Sequence, residues 1–178
     1  MKKFKGIVAV LLVAIMLFSM AGCGKINEMS AKDFKAAIKD VLDCDKEDID
    51  ESEDSYDDSV ETVITYEGED YERYSVSCTE YEDEEAARYN FDYAAARYGF
   101  YKSHGGIDGK IKITNNYITM DAEIVTSYDG DSVDRYGGIY LAGNTVIYVY
   151  AKTGKDKDKD VIDDLLKELG CPKPSRVS

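Results

Sequence analysis

Residues 136–142 and 145–151 are two runs rich in β-branched and aromatic side chains, and only Gly143 and Asn144 separate them. Two turn-forming residues between two such runs specify a tight hairpin, and strands joined that way pair antiparallel. The second run is the most apolar strand-like segment of the chain, which places it centrally in its sheet. The device recurs twice. Residues 110–114 and 117–126 alternate around Asn115 and Asn116, a dipeptide that tolerates positive φ, with Ile118, Met120, Ala122 and Ile124 on the inward face. Residues 60–66 and 71–79 flank Glu67, Gly68, Glu69 and Asp70, which read as their turn.

Helical periodicity fills the intervals. Ser30 is placed to cap a first helix, with Asp33 three residues on and Met29 stapled onto Phe34; Phe34, Ala37, Ile38, Val41 and Leu42 follow at helical spacing. Thr79 and Glu82 fit a capping box for a second helix running to about Gly99. Asp160 is placed to cap a third, which buries Val161, Ile162, Leu165, Leu166 and Leu169 before Gly170 and Pro172 end it. Residues 43–58 carry ten acids against one lysine and read as a solvated acidic loop. The expected fold is α+β: a single antiparallel sheet of about six strands with three helices packed on it, one globular domain over residues 30–172 and a C-terminal tail at 173–178.

The amino terminus has a different character. Lys2, Lys3 and Lys5 precede an almost wholly apolar stretch over residues 6–20, and Ser19, Met20, Ala21, Gly22 and Cys23 close it. This three-part pattern is that of a secretory signal peptide, and the apolar run is short of the roughly 20 residues that span a bilayer. The closing residues resemble the lipobox of bacterial lipoproteins, with Met20 where leucine is usual. The resemblance covers about 23 residues and implies cleavage of residues 1–22, a diacylglyceryl group with palmitate-type chains on Cys23, and a lipidated tether over residues 23–29. It further implies a cell-membrane location facing outside the cytoplasm, with the lipid anchor as the membrane contact.

Loss of a 22-residue leader from 178 residues would leave 156, enough for one domain with a real core. The leader holds three lysines and no acid, so a net charge of −14 deepens by three to −17. Such a surface repels phosphate backbones and excludes nucleic acid as a partner. Beyond Cys23 the cysteines are Cys44, Cys78 and Cys171, an odd set that allows at most one internal bridge. Cys78 alternates with Tyr74 and Val76 as a buried thiol would. Cys44 and Cys171 each follow a helix and form the candidate disulfide, three free thiols being the equal alternative.

Little in the chain points to catalysis. The single histidine, His104, lies in a connection with Ser103, Gly105 and Gly106, and no nucleophile motif surrounds it. Asp156, Asp158 and Asp160 match the alternating start of a calcium loop, but Val161 replaces the required glycine and Lys167 stands in place of the closing glutamate. Asp129, Asp131 and Asp134 form a second, incomplete set. No catalytic residue, metal site or cofactor is therefore expected. The second helix carries two opposed stripes, Ala87, Phe91, Ala94 and Tyr98 on one side and Tyr89, Tyr93, Ala96 and Phe100 on the other. Tyr89, Tyr93 and Phe100 are the candidate surface for a protein or glycan partner. The rarity of large exposed apolar patches favours their being covered by the first helix or the acidic segment. Tyr148 and Tyr150 admit the same two readings. Three function classes follow: a non-enzymatic binding module at the cell envelope, a single-lobed solute-binding lipoprotein, and a carboxylate-based envelope hydrolase.

Overall fold

The computed structural model describes residues 26–56, 59–69, 72–125 and 131–177. Cys23 and its leader, and Asp129 of the second acidic set, lie outside the described residues. In chain order the elements are α1 (Ala31–Leu42), β1 (Ile49–Tyr56), β2 (Ser59–Tyr66), β3 (Tyr74–Glu80), α2 (Glu84–Ser103), β4 (Ile107–Ile113), β5 (Tyr117–Val125), β6 (Ser132–Ala142), β7 (Thr145–Ala151) and α3 (Asp156–Glu168). The seven strands form one sheet in the order β1-β2-β3-β7-β6-β5-β4, and every neighbouring pair is antiparallel. The fold is α+β, and β7 sits fourth of seven, at the centre.

The seventh strand is the correction. Ile49–Tyr56, expected within an acidic loop, pairs along its whole length with β2 and forms one edge of the sheet. A strand at an edge needs only one ladder, and charged side chains there can stay in water, so Asp50, Glu51 and Glu53 cost nothing there. All three are exposed.

Helices cover both faces. On one, Phe34 and Ile38 of α1 and Ile162, Leu165 and Leu166 of α3 pack on Ile64, Val76, Cys78, Ile147 and Val149. On the other, Ala87 and Phe91 of α2 pack on Ile118, Met120, Ile124, Ile139 and Val146. Both clusters meet at β6 and β7, whose continuous apolar character is that of strands buried on two sides. Burial of each such side chain is worth about 1.5–3 kcal/mol. Gly137 belongs to this crowded centre: its φ is +145°, and a Cβ there would collide with the Val149 carbonyl oxygen.

Local chemistry explains the element ends, with three corrections. Ser30 caps α1 as expected, its hydroxyl accepting from the Asp33 amide. The cap of α2 is Asp83, not Thr79; its carboxylate accepts from the Ala86 amide at 2.8 Å, and the helix runs past Gly99 to Ser103. Helix α3 starts at Asp156, ahead of Asp160, with Lys155 as an N-cap that supplies no side-chain bond. At the β4–β5 turn neither Asn115 nor Asn116 has positive φ. The Thr114 hydroxyl instead accepts from the Asn116 and Tyr117 amides at 3.3 and 3.0 Å and closes the turn in their place. Gly143 does carry positive φ, +67°, in the two-residue β6–β7 turn.

The segments flanking the domain are docked on it. Ile26, expected in the tether, is 3 % exposed and belongs to the core, and the Thr145 hydroxyl donates to the Met29 carbonyl at 3.1 Å. At the other end the Tyr140 hydroxyl donates to the Pro172 carbonyl, and the Val177 amide donates to Asp121 at 2.6 Å. Cys44, Cys78 and Cys171 are free thiols, so the Cys44–Cys171 bridge is not formed. Cys171 is buried and turned toward the Leu169 carbonyl at 3.7 Å, and Cys44 packs separately on the edge of the same core.

Candidate partner-binding surface

Helix α2 presents its two stripes to different environments. Ala87, Phe91 and Ala94 face the sheet and are buried, whereas Tyr89, Tyr93 and Phe100 are 73 %, 68 % and 58 % exposed. Neither α1 nor β1 covers them, because α1 packs on the opposite face of the sheet, against β2 and β3. The expected cover is therefore corrected to an open ridge, about 16 Å long at 1.5 Å per residue. Half-buried rings support its carboxyl end. Tyr98 and Tyr101 meet edge-on with centroids 6.3 Å apart, and the Phe100 ring stacks on His104 at 4.0 Å. Arg97 donates through Nε to the Tyr101 hydroxyl at 3.1 Å, and this bond holds the guanidinium firmly protonated. Of the two sheet-face tyrosines, Tyr150 is buried beneath α2 and Tyr148 is half-buried beside it. Burial drives the Tyr150 phenol far above its ordinary range, and the neighbouring Tyr98 adds to the rise.

A second arrangement ties the carboxyl terminus to the sheet. Lys159 and Asp121 are buried, 8 % and 6 % exposed, and Lys159 Nζ donates to Asp121 Oδ1 at 2.6 Å. Asp121 Oδ2 accepts from the Val177 amide, so both oxygens are committed. Lys159 also lies 5.2 Å from the centre of the Tyr136 ring, whose hydroxyl donates to Asp163. Arg176 donates to Asp163 at 3.0 Å and also to Asp160. A cavity of about 240 Å³ opens beside the pair, lined by Asp108, Glu123, Asp134 and Arg135 among others. It is smaller than the usual ligand pocket, and each oxygen of its buried carboxylate already accepts one hydrogen bond, from Lys159 or from the Val177 amide.

The calcium-like spacing falls on the first turn of α3. Asp158 points inward, bonded to Arg73, Tyr74 and Thr153. Burial alone would raise its carboxyl; the Thr153 hydroxyl and the Arg73 guanidinium outweigh that and hold it below the ordinary range. Asp160 turns outward to Arg176. No group of three or more histidine, cysteine or acidic side chains among the described residues is arranged to hold a metal ion. His104 sits exposed at the end of α2, its ring against Phe100.

One further surface escaped the sequence reading. An open groove of about 400 Å³ runs along β4, lined by Lys102, Lys110, Lys112, Ile107, Ile111 and Ser175 among others, with no acidic side chain among its lining residues. Its signal was present as Lys110 and Lys112 at strand spacing, but Lys102 joins them only through the packing of α2. Likewise Asp158 stands four residues before Ile162 and seven before Leu165, which is the spacing of an inward-facing position.

The chain matches no protein-family model, no curated protein and no solved structure with which it was compared.

Proposed function

We propose that this chain is a membrane-anchored extracytoplasmic lipoprotein, held through a diacylglyceryl group on Cys23, that binds a protein or glycan partner at the cell envelope without catalysing a reaction. The observation that carries the binding role is the open ridge of α2. Three aromatic side chains stand out from one face of a helix whose other face is fixed in the core. Rigid amphipathic rings on a fixed scaffold lose little entropy on association and supply large contact area, which is why such residues dominate binding hot spots. The anchor reading rests on residues 2–23, and no helix of the described domain is long and apolar enough to cross a membrane.

Two measurements test the two parts. Cys23→Ser should abolish labelling by a fatty-acid analogue and release the protein from the membrane fraction; retention there would overturn the anchor. A photo-crosslinking phenylalanine analogue at position 93 should give a discrete product on intact cells, and the same analogue at exposed Asp164 should not. Tyr89→Ser with Phe100→Ser should remove that product while changing stability by under about 0.5 kcal/mol, as expected of surface positions. A loss of several kcal/mol would assign the ridge to the core.

A further inference from the structure

The two edges of the sheet are opposite in charge. Edge β1 carries exposed Asp50, Glu51 and Glu53 and no basic residue; edge β4 carries exposed Lys110 and Lys112 with a single acid, Asp108, near its start, and Lys102 from α2 lies beside the two lysines. Each edge strand is bonded to a single neighbour, so each presents unpaired backbone N–H and C=O groups along its outer side. An open groove runs along β4, bordered by Lys102 of α2 and by Ser175 of the docked tail.

We propose that these edges recognise one another: β1 of one copy adds to β4 of the next, continuing the sheet from molecule to molecule. Strand addition to a free edge draws its affinity from main-chain hydrogen bonds and its specificity from side chains on alternate positions. The alternate positions match. Glu51 pairs with Ile64 of β2 and donor Lys35 of α1 reaches it, which places Glu51 and Glu53 on the α1/α3 face. Lys110 and Lys112 pair with Asp121 and Thr119 of β5, and Lys110 donates to the docked tail, which places them on that same face. Seven strands alternating in direction leave β1 and β4 parallel to each other. A second copy set beside the first without inversion therefore forms a parallel pair, with the glutamate row alongside the lysine row on one face. Such a contact joins two different patches and does not close on itself, so it builds open chains of molecules. An acidic edge meeting an acidic edge, or basic meeting basic, is repelled, which selects this pairing over the two-fold alternatives.

The test is a charge exchange in the full chain, purified in detergent micelles and followed by sedimentation velocity at one fixed ionic strength. The wild-type chain should form concentration-dependent oligomers. E51K/E53K makes β1 basic, and K110E/K112E makes β4 acidic. Each variant alone should lose self-association by at least about tenfold, whereas a mixture of the two should regain it. In the mixture every acidic edge again finds a basic one. All four positions are exposed, and melting curves of each variant check that the fold is kept. A monomeric wild-type chain, undiminished association of either single variant, or a mixture no more associated than its components would overturn the proposal. None of these outcomes depends on the ridge of α2 or on lipidation of Cys23.

Discussion

Removing the charge of Lys159 tests the buried pair most directly. Lys159→Met keeps the length and most of the stem that lies over Tyr136 but leaves Asp121, 6 % exposed, with only the Val177 amide. Breaking a buried pair by removing one partner costs about 3–5 kcal/mol, because the remaining charge stays out of water. The remaining amide bond and the adjoining cavity of about 240 Å³, which admits solvent, place this case near the lower end, about 3 kcal/mol. For a domain of this size that corresponds to a fall in Tm of roughly 6–12 °C. Asp121→Leu should cost a similar amount by stranding Lys159. The double variant should lose under about 1 kcal/mol, since a buried pair replaced by apolar residues is often neutral. The assay is thermal unfolding of all four proteins, read as a double-mutant cycle. Strict additivity, or a Lys159→Met protein within about 0.5 kcal/mol of wild type, would refute the reasoning.

Two further outcomes follow from the packing and from the thiols. Gly137→Ala should cost at least about 3 kcal/mol, from a left-handed φ and a collision with the Val149 carbonyl, whereas Gly99→Ala on α2, with open space around it, should gain about 0.5–1 kcal/mol; urea midpoints compare them. Burial pushes Cys78 and Cys171 from about 9 to about 12, and burial with the Asp163 contact pushes Tyr136 from about 10 to about 12. The folded state thus favours their neutral forms. Their contribution is complete below about pH 9 and is lost as the pH rises toward 12. Urea midpoints should fall across that window, and at pH 8 a thiol reagent should modify Cys78 and Cys171 only on unfolding; equally fast modification of the native protein would contradict this burial.

The hairpins, the central strand and the inward faces were legible because each is local. An alternation of period two and a short polar turn sit within a dozen residues, and burial of Ile118, Met120, Ala122 and Ile124 follows. Strand β1 was not legible, since its signal is a backbone ladder to β2 and its side chains read as solvated charge. Helix α2 defeats periodicity for a different reason: with aromatic residues on both stripes, the pattern cannot say which side meets the sheet. The topology decides it. The chain must cross from β3 to β4 over β7, β6 and β5, and the small residues Ala87 and Ala94 allow the close approach that Tyr89 and Tyr93 forbid. The docked tail and the Asp121–Lys159 pair depend on residues 38 and 56 positions apart, beyond any local pattern.

The short approach to Ile26 constrains how an anchored molecule would stand. Three residues extended span roughly 10 Å, so a lipid on Cys23 would hold the place where Ile26 enters the core close to the membrane surface. That place is the β6–β7 turn: Thr145 bonds Met29, and Glu28 lies against Gly143. Asn144 bonds the Tyr81 carbonyl and Arg88 reaches Asn115 and Asn116, so the amino end of α2 and the β4–β5 turn lie at the same end. The strands would then rise from the bilayer, and the ridge of α2 would run outward from Tyr89 to Phe100. The two sheet edges would face sideways, along the membrane plane. Parallel addition of β1 to β4 would keep a lipid on Cys23 at the same end in every copy, whereas the inverted, antiparallel addition would point alternate lipids away from the bilayer. Copies anchored in a single membrane would therefore be limited to the parallel arrangement, the one that would set the Glu51 and Glu53 row beside Lys110 and Lys112.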